Sequence, residues 1–191
     1  MRVILASQSP RRKELMQLFG IPFTVQVAQI DEHMDPDKPV YEEVARVSHQ
    51  KALAVQHEAA DIVIAADTVV VCDGKVLGKP KDEADAFRML CLLSGREHQV
   101  MTGLTVLHAG RQVSCTEVTQ VQFAKLTQAQ IRKYIATKEP MDKAGSYAIQ
   151  GGAALFVEKI CGDYFNVVGL PVCRLGCILR QIAPECMEEG Q

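Results

Sequence analysis

The chain has 191 residues, 48% of them hydrophobic and 23% charged, with a formal net charge of -2. That length suits one domain, or one domain folded as two lobes, with enough apolar material for a sizeable core. The slight negative balance excludes a generally basic nucleic-acid surface, so anion binding must come from locally placed cations and backbone N–H groups.

Arg2 to Ala6 reads as a short buried strand. Ser9 is placed to cap a helix that starts at Pro10, with Leu15, Leu18 and Phe19 as its apolar face and Gly20 as its end. Phe23 to Ile30 alternates enough for a second strand, and leads into a polar loop of acids and prolines from Asp31 to Pro39. A long helix is expected from Val40 to Glu58, with Val44, Val47 and Leu53 inward. Asp61 to Val71 is a strongly apolar strand, and Asp73-Gly74 signals a hairpin turn into Lys75–Leu77. Gly78-Lys79-Pro80 breaks the chain before a helix over Glu83–Leu93 that faces Phe87, Leu90 and Leu93 inward and stops at Gly95. His98–Leu107 and Gln112–Leu126 form two β-rich arms around Ala109-Gly110, and Thr127 caps a helix to about Thr137. Ser146 to Ile160 is expected to be strand-like, Leu170–Ile182 is the last helix, and the tail beyond Pro184 is expected to fray. Strands alternating with helices early and an antiparallel middle imply an α/β fold with a mixed sheet.

Seven cysteines occur, an odd number with no Cys-x-x-Cys pair, and read as reduced thiols. Cys173 and Cys177, four apart on a helix, are read first as small buried side chains and second as a metal pair. Met1-Arg2 runs straight into a strand without a signal peptide, and no apolar stretch reaches the roughly 18 residues of a membrane helix. The expectation is a cytoplasmic protein without a membrane partner.

Several segments carry chemistry. In Ser7-Gln8-Ser9-Pro10-Arg11-Arg12 a strand feeds a helix start, whose free N–H groups attract anions. A plain Ser-Pro cap explains the pattern too, but two arginines at the helix end that disfavours cations tip the reading toward phosphate. Asp67 lies in the most apolar strand of the chain, where a carboxylate requires a cation, a lysine or a proton. It is either a structural partner of a lysine or a functional acid at a strand end, where α/β sheets place sites. Lys79 sits in a rigid Gly-Lys-Pro turn that is equally a surface turn. His98 beside a strand is first a structural histidine and second a base or ligand. In Asp142-Lys143-Ala144-Gly145-Ser146-Tyr147-Ala148-Ile149-Gln150-Gly151 the local reading is a glycine-rich turn, with Gln150 suited to reading a base edge as the alternative. Gly162 to Pro171 fits an anion site or simple packing. Glu32 and Lys51, each taken alone, read as solvated charges.

Taken together, these motifs resemble the Maf family of nucleoside triphosphate pyrophosphatases over nearly the whole chain. Ser-x-Ser-Pro-Arg-Arg, Ala-Asp-Thr, Gly-Lys-Pro, Ser-Gly-x-x-His, Asp-Lys-Ala-Gly-x-Tyr-x-Ile-Gln-Gly and Val-Val-Gly-Leu-Pro occur in the family's order. The resemblance implies a single domain over residues 1–191, with a mixed twisted sheet, flanking helices and two lobes around a deep cleft. It implies hydrolysis of a nucleoside triphosphate to the monophosphate and pyrophosphate, often by a homodimer, with a divalent cation (Mg²⁺, Mn²⁺ or Co²⁺). Nucleic-acid polymers are not expected partners. Asp67 then resembles the general base and Glu32 a metal or water partner, the two forming the metal ligands. Lys79 joins them in the catalytic group, and Ser7, Arg11, Lys51 and Lys79 resemble phosphate and substrate contacts. Arg11, Thr68 and Gln150 match the dTTP/UTP branch at the positions tied to specificity, while Arg12 is left without a role. The rivals are a 7-methyl-GTP pyrophosphatase and a non-catalytic nucleotide sensor in cell-division control. Asp163 departs from the family pattern by adding a charge.

Overall fold

A computed structural model of the chain describes residues 1–27 and 29–188. Among the described residues are seven strands: β1 Val3–Leu5, β2 Thr24–Val25, β3 Ile62–Cys72, β4 Lys75–Leu77, β5 Glu97–His108, β6 Arg111–Phe123 and β7 Val157–Cys161. The helices are α1 Pro10–Gln17, α2 Val40–Leu53, α3 Glu83–Leu93, α4 Gln128–Ala136, α5 Tyr164–Val168, α6 Val172–Ile182 and α7 Glu185–Glu188. The strands bond in the order β2-β1-β3-β5-β6-β7, with β4 paired to β3. β1 is parallel to both β2 and β3, whereas β3–β4 and β6–β7 are antiparallel, so the sheet is mixed as expected.

The chain divides into two compact units: Met1–Asp67 with Thr102–Glu117 and Gly169–Gln191, and Thr68–Met101 with Val118–Val168. In the first unit, Arg2 and Asp61 fix the entry to β1 and β3. The Arg2 N–H donates to Asp61 Oδ1 at 2.9 Å and its guanidinium to Oδ2 at 2.5 Å. That guanidinium holds the Asp61 carboxyl well below the usual carboxylate range. From there β1 and β3 run in register, Val3 opposite Ile62 and Leu5 opposite Ile64. Side chains alternate faces along a strand. Ile4, Ala6, Val63 and Ala65 share one core cluster with Ala52 and Val55, from the end of α2 and just beyond it. α2 reaches this sheet closely because Gly103 on β5 has no side chain: a Cβ there would meet the Val44 carbonyl oxygen at 2.1 Å. Any larger residue would lift the helix off the strand.

In the second unit, Asp73 and Gly74 both take positive φ (49° and 71°) at the β3–β4 turn, the geometry that suits a twisted hairpin. α4 opens with a capping box between Thr127 and Gln130. His98, Phe123, Tyr147, Phe156 and Tyr134 then pack edge to face, with neighbouring ring centroids 4.9–6.1 Å apart.

Several expectations need correction. The strand expected over 23–30 is only Thr24–Val25, since β1 offers two pairing positions, Ile4 and Leu5; Ala28 lies outside the described residues. α2 stops at Leu53, which is 56% exposed, because the inward stripe runs through Val44, Val47, Ser48, Lys51 and Ala52. On α1, Leu15 and Met16 are buried, while Leu18 is 62% exposed. The stretch 146–160 is strand only at its end, where β7 begins at Val157; before it come 3₁₀ turns at Ala144–Ser146 and Gly152–Phe156. The Glu139 carboxylate accepts from the Gly152 N–H (3.1 Å) and the Tyr134 hydroxyl (2.7 Å), and that hydroxyl accepts from the Ala148 N–H (3.0 Å), so these two amides bind side chains instead of a neighbouring strand. α5 was not anticipated. Asp163 caps its start by accepting from the Phe165 N–H at 2.7 Å, which accounts for the extra charge at that position. Past Pro184 the chain forms α7, and residues 189–191 of the expected frayed tail lie outside the described residues.

Candidate active site

The chain passes from β1 to β2 on one side and then crosses to β3 on the other. That reversal is the switch point at which open α/β sheets leave a crevice outside the carboxyl ends of the strands. Ser7 follows β1 there. Asp67 lies three residues beyond Ile64 on β3, on the same face as Val63 and Ala65 by strand alternation. That face lies under α2, whose last turn carries Lys51. Lys51 Nζ donates to Asp67 Oδ1 at 2.5 Å and lies 3.0 Å from Glu32 Oε1. The Lys51 and Asp67 side chains are each 10% exposed and Glu32 is 55% exposed, so one carboxylate is enclosed and the other opens to solvent.

Lys51 is therefore not a solvated charge. Asp67 does have a lysine partner, as the structural reading expected. A second carboxylate on the same ammonium, at the switch point beside the helix start, is what exceeds a structural pair.

Glu32 is placed by residues that carried no signal in the sequence reading. Glu43 is buried on α2 and accepts the Asp35 N–H at 2.8 Å and the Arg46 guanidinium at 2.7 Å. Arg46 also donates to the His33 carbonyl at 2.7 Å. Together they fasten the acidic loop to α2 on either side of Met34. The Arg46 guanidinium, aided by the Asp35 N–H, holds the Glu43 carboxyl down at about 2. An i,i+3 Glu-Arg pair in the first half of a helix was the available clue.

The helix start is built as anticipated, and Arg12 acquires a place. The Ser9 hydroxyl accepts from the Arg12 N–H at 3.5 Å, at the limit of hydrogen-bond length. Ser7 Oγ accepts from the Ser9 N–H at 3.2 Å and from Arg12 Nη1 at 3.3 Å, while Arg12 Nε donates to the Gly169 carbonyl at 2.7 Å. Arg12 thus ties α1 to the chain that enters α6 and orients the Ser7 hydroxyl. Burial lowers the pKa of the Arg12 guanidinium, opposed by the charge of Asp67, with Arg11 lowering it further and Glu32 raising it. An anion at this helix start would relieve the repulsion between the two arginines.

The first unit therefore gathers Ser7, Arg11, Arg12, Glu32, Lys51 and Asp67. Thr68, Lys79 and Gln150 belong to the second unit: Thr68 is half-buried on β3, Lys79 exposed in its turn, and Gln150 exposed ahead of a 3₁₀ segment. His98 lies among aromatic rings, with Nε2 2.9 Å from the Tyr147 hydroxyl.

Two carboxylates converging on one cation suit a hard divalent ion. Such an ion is commonly held by one or two carboxylates plus substrate phosphates. Among the described residues, no three His, Cys, Asp or Glu side chains form a closed metal cage. The donor set thus fits an ion shared with a substrate rather than a structural zinc site.

Residues 2–182 match the family described as Maf-like protein. A dTTP/UTP pyrophosphatase from Bacillus pumilus is 51% identical over 94% of this chain and 95% of its own. The protein of that name from Bacillus cytotoxicus is 50% identical over 94% and 95%, and that from Symbiobacterium thermophilum 50% identical over 94% and 93%.

Proposed function

Because the chain belongs to the Maf-like protein family, we propose that it hydrolyses nucleoside triphosphates, dTTP and UTP foremost, to the monophosphate and pyrophosphate, clearing unwanted or modified nucleotides. The observation that carries this reading is the Glu32–Lys51–Asp67 array beyond the carboxyl end of β1, with Asp67 in the middle of β3 rather than at the strand end the sequence suggested, next to the Ser7–Arg12 helix start. Its chemistry is that of phosphoryl transfer, in which positioning and electrostatics supply most of the rate.

In this reading the Ser7 hydroxyl, the first N–H groups of α1 and Arg11 bind phosphate oxygens. Lys51 pairs with Asp67 and offers its other N–H donors to the substrate. Asp67 takes a proton from water as the water oxygen bonds to the α-phosphorus. The bond to the bridging oxygen breaks and pyrophosphate departs. Glu32 and Asp67 would hold the divalent cation (Mg²⁺, Mn²⁺ or Co²⁺), which supplies charge neutralisation on the phosphate oxygens. Arg12 positions Ser7 and α1 rather than reacting.

We place the protein in the cytoplasm as a homodimer acting on free nucleotides. All seven cysteines are free thiols, which suits a reducing compartment, and no helix among the described residues is long and apolar enough to cross a membrane.

The test incubates the protein with dTTP, UTP, CTP or 7-methyl-GTP and Mg²⁺ or Mn²⁺, in water enriched with heavy oxygen. Pyrophosphate should form fastest from dTTP and UTP, with the label in the nucleoside monophosphate. Orthophosphate as the sole product, label in the pyrophosphate, or preference for 7-methyl-GTP would overturn the reading.

A further inference from the structure

α6 turns Leu175, Ile178, Leu179 and Ile182 inward. Cys173 and Cys177 are not the small buried side chains that the sequence favoured; both are exposed thiols. Residues four apart on a helix are neighbours on one face, with Cβ atoms about 5–6 Å apart. A disulfide requires Cβ atoms about 3.8 Å apart, so these two cannot be oxidised to one another without unwinding the turn. A metal bridge has a different span. Two thiolates at about 2.3 Å from one tetrahedral centre stand roughly 3.8 Å apart, sulfur to sulfur. That separation is reached when each sulfur leans from its Cβ toward the other, so the helix spacing favours a shared soft centre over an S–S bond.

A second feature lies on the same face. Arg180 Nη2 is 3.5 Å from Cys177 Sγ. The guanidinium runs beside Gly176, where a Cβ would meet Nη1 at 3.6 Å and Nη2 at 3.8 Å. The arginine thus folds back along the helix to the sulfur. The thiolate is the form of cysteine that ligates metals, and the guanidinium supplies it with a charged donor.

We propose that Cys173 and Cys177 form a dithiol site for a thiophilic centre of the cadmium, zinc or trivalent arsenic class, separate from the nucleotide chemistry. With an organoarsenic(III) oxide, two As–S bonds form, and the arsenic-bound oxygen leaves as water with the two thiol protons. No electrons change hands. With Cd²⁺ or Zn²⁺, two protons are released to solvent.

The experiment titrates the full chain with phenylarsine oxide and, separately, with Cd²⁺. It follows thiol loss by a colorimetric assay and the sulfur-to-cadmium charge-transfer band. One equivalent of arsenical should consume two thiols. Cys173→Ser and Cys177→Ser should each weaken binding roughly 100-fold, the loss expected when chelation becomes single-site binding. Cys91→Ser with Cys161→Ser, which removes the two other exposed thiols, should change neither titration. Unchanged affinity in either single serine variant, or loss of binding in the Cys91/Cys161 variant, would overturn the proposal. All four positions are exposed, and circular dichroism of each variant verifies the fold. The readout is binding alone, so the result stands apart from any outcome of the nucleotide assay.

Discussion

Lys51 with Asp67, and His98 with Tyr147, are both buried pairs of titratable side chains, one in each unit. His98 and Tyr147 meet burial by staying neutral. Burial pushes the His98 imidazole down to about 4 and the Tyr147 hydroxyl up from its usual value. One hydrogen bond and edge-to-face rings then complete a core. Lys51 and Asp67 instead keep opposite charges in contact, and a third, half-exposed charge, Glu32, shares the lysine. A neutral pair enclosed by rings has nothing to exchange with a ligand. A charged pair that opens to solvent on one side can pass part of its electrostatic pairing to a phosphate or a cation. Burial of a polar group therefore does not by itself mark function, and neither does a buried charge, since Asp61 and Glu43 are buried ions that fasten the fold; the second, solvent-facing carboxylate on Lys51 sets this pair apart.

The largest expected effect breaks the charged pair at its acid. Asp67→Asn retains shape and can still accept from Lys51, but it cannot take a proton. Turnover of dTTP should fall by roughly 10³-fold, within the range for loss of a positioned general base, while calorimetry still detects nucleotide binding. Wild-type turnover in this variant would remove Asp67 from the chemistry.

Next comes the lysine. Lys51→Met leaves Asp67 enclosed without its cation, which should cost about 3–5 kcal/mol in urea unfolding. Asp67→Asn added to Lys51→Met should recover a large part of that loss, because the uncompensated charge is gone. A double variant no more stable than Lys51→Met alone would mean that the two residues are not energetically coupled.

Which parts were legible in the sequence follows from how local each cause is. The Ser9-Pro10 helix start, the Asp73-Gly74 hairpin and the Thr127 cap are set by residues within a few positions of one another, and all three formed as read. The strand expected at 23–30 failed because its length depends on its partner, and β1 is three residues long. Of the stretch 146–160 only its end became strand, because side chains outside it, Glu139 and Tyr134, take up the Gly152 and Ala148 amides. Of Glu32, Lys51 and Asp67, only Asp67 lies in a family motif; Glu32 and Lys51 took their roles from the resemblance, each by itself. That two carboxylates share one ammonium depends on the crossing of β1, β3 and α2, with Gly103 admitting the helix, and no local window holds that information. Cys173 and Cys177 show the same limit. A spacing of four sets a helical face but leaves open whether the face is inward, and here Leu175 and Leu179 claim the core.

The smallest expected effect sharpens the neutral side of the comparison. The folded-state pKa of His98, about 4, lies below the roughly 6.5 of an unfolded histidine. As the pH falls, the unfolded chain takes up the proton first. The contribution of neutral His98 is thus fully present above about pH 6.5 and is lost progressively as the pH drops toward 4, on the order of 2–3 kcal/mol across that window. His98→Phe removes the titration and leaves the Tyr147 hydroxyl without its ring partner, at a cost of about 1 kcal/mol at neutral pH. Unfolding free energies measured from pH 7 to pH 4 should therefore fall less steeply in His98→Phe than in the wild type, and the two curves should cross between about pH 6.5 and pH 4, leaving the variant the more stable at the acid end. Parallel curves would show that His98 titrates as freely in the folded protein as in the unfolded chain, and that the aromatic cage does not hold it neutral.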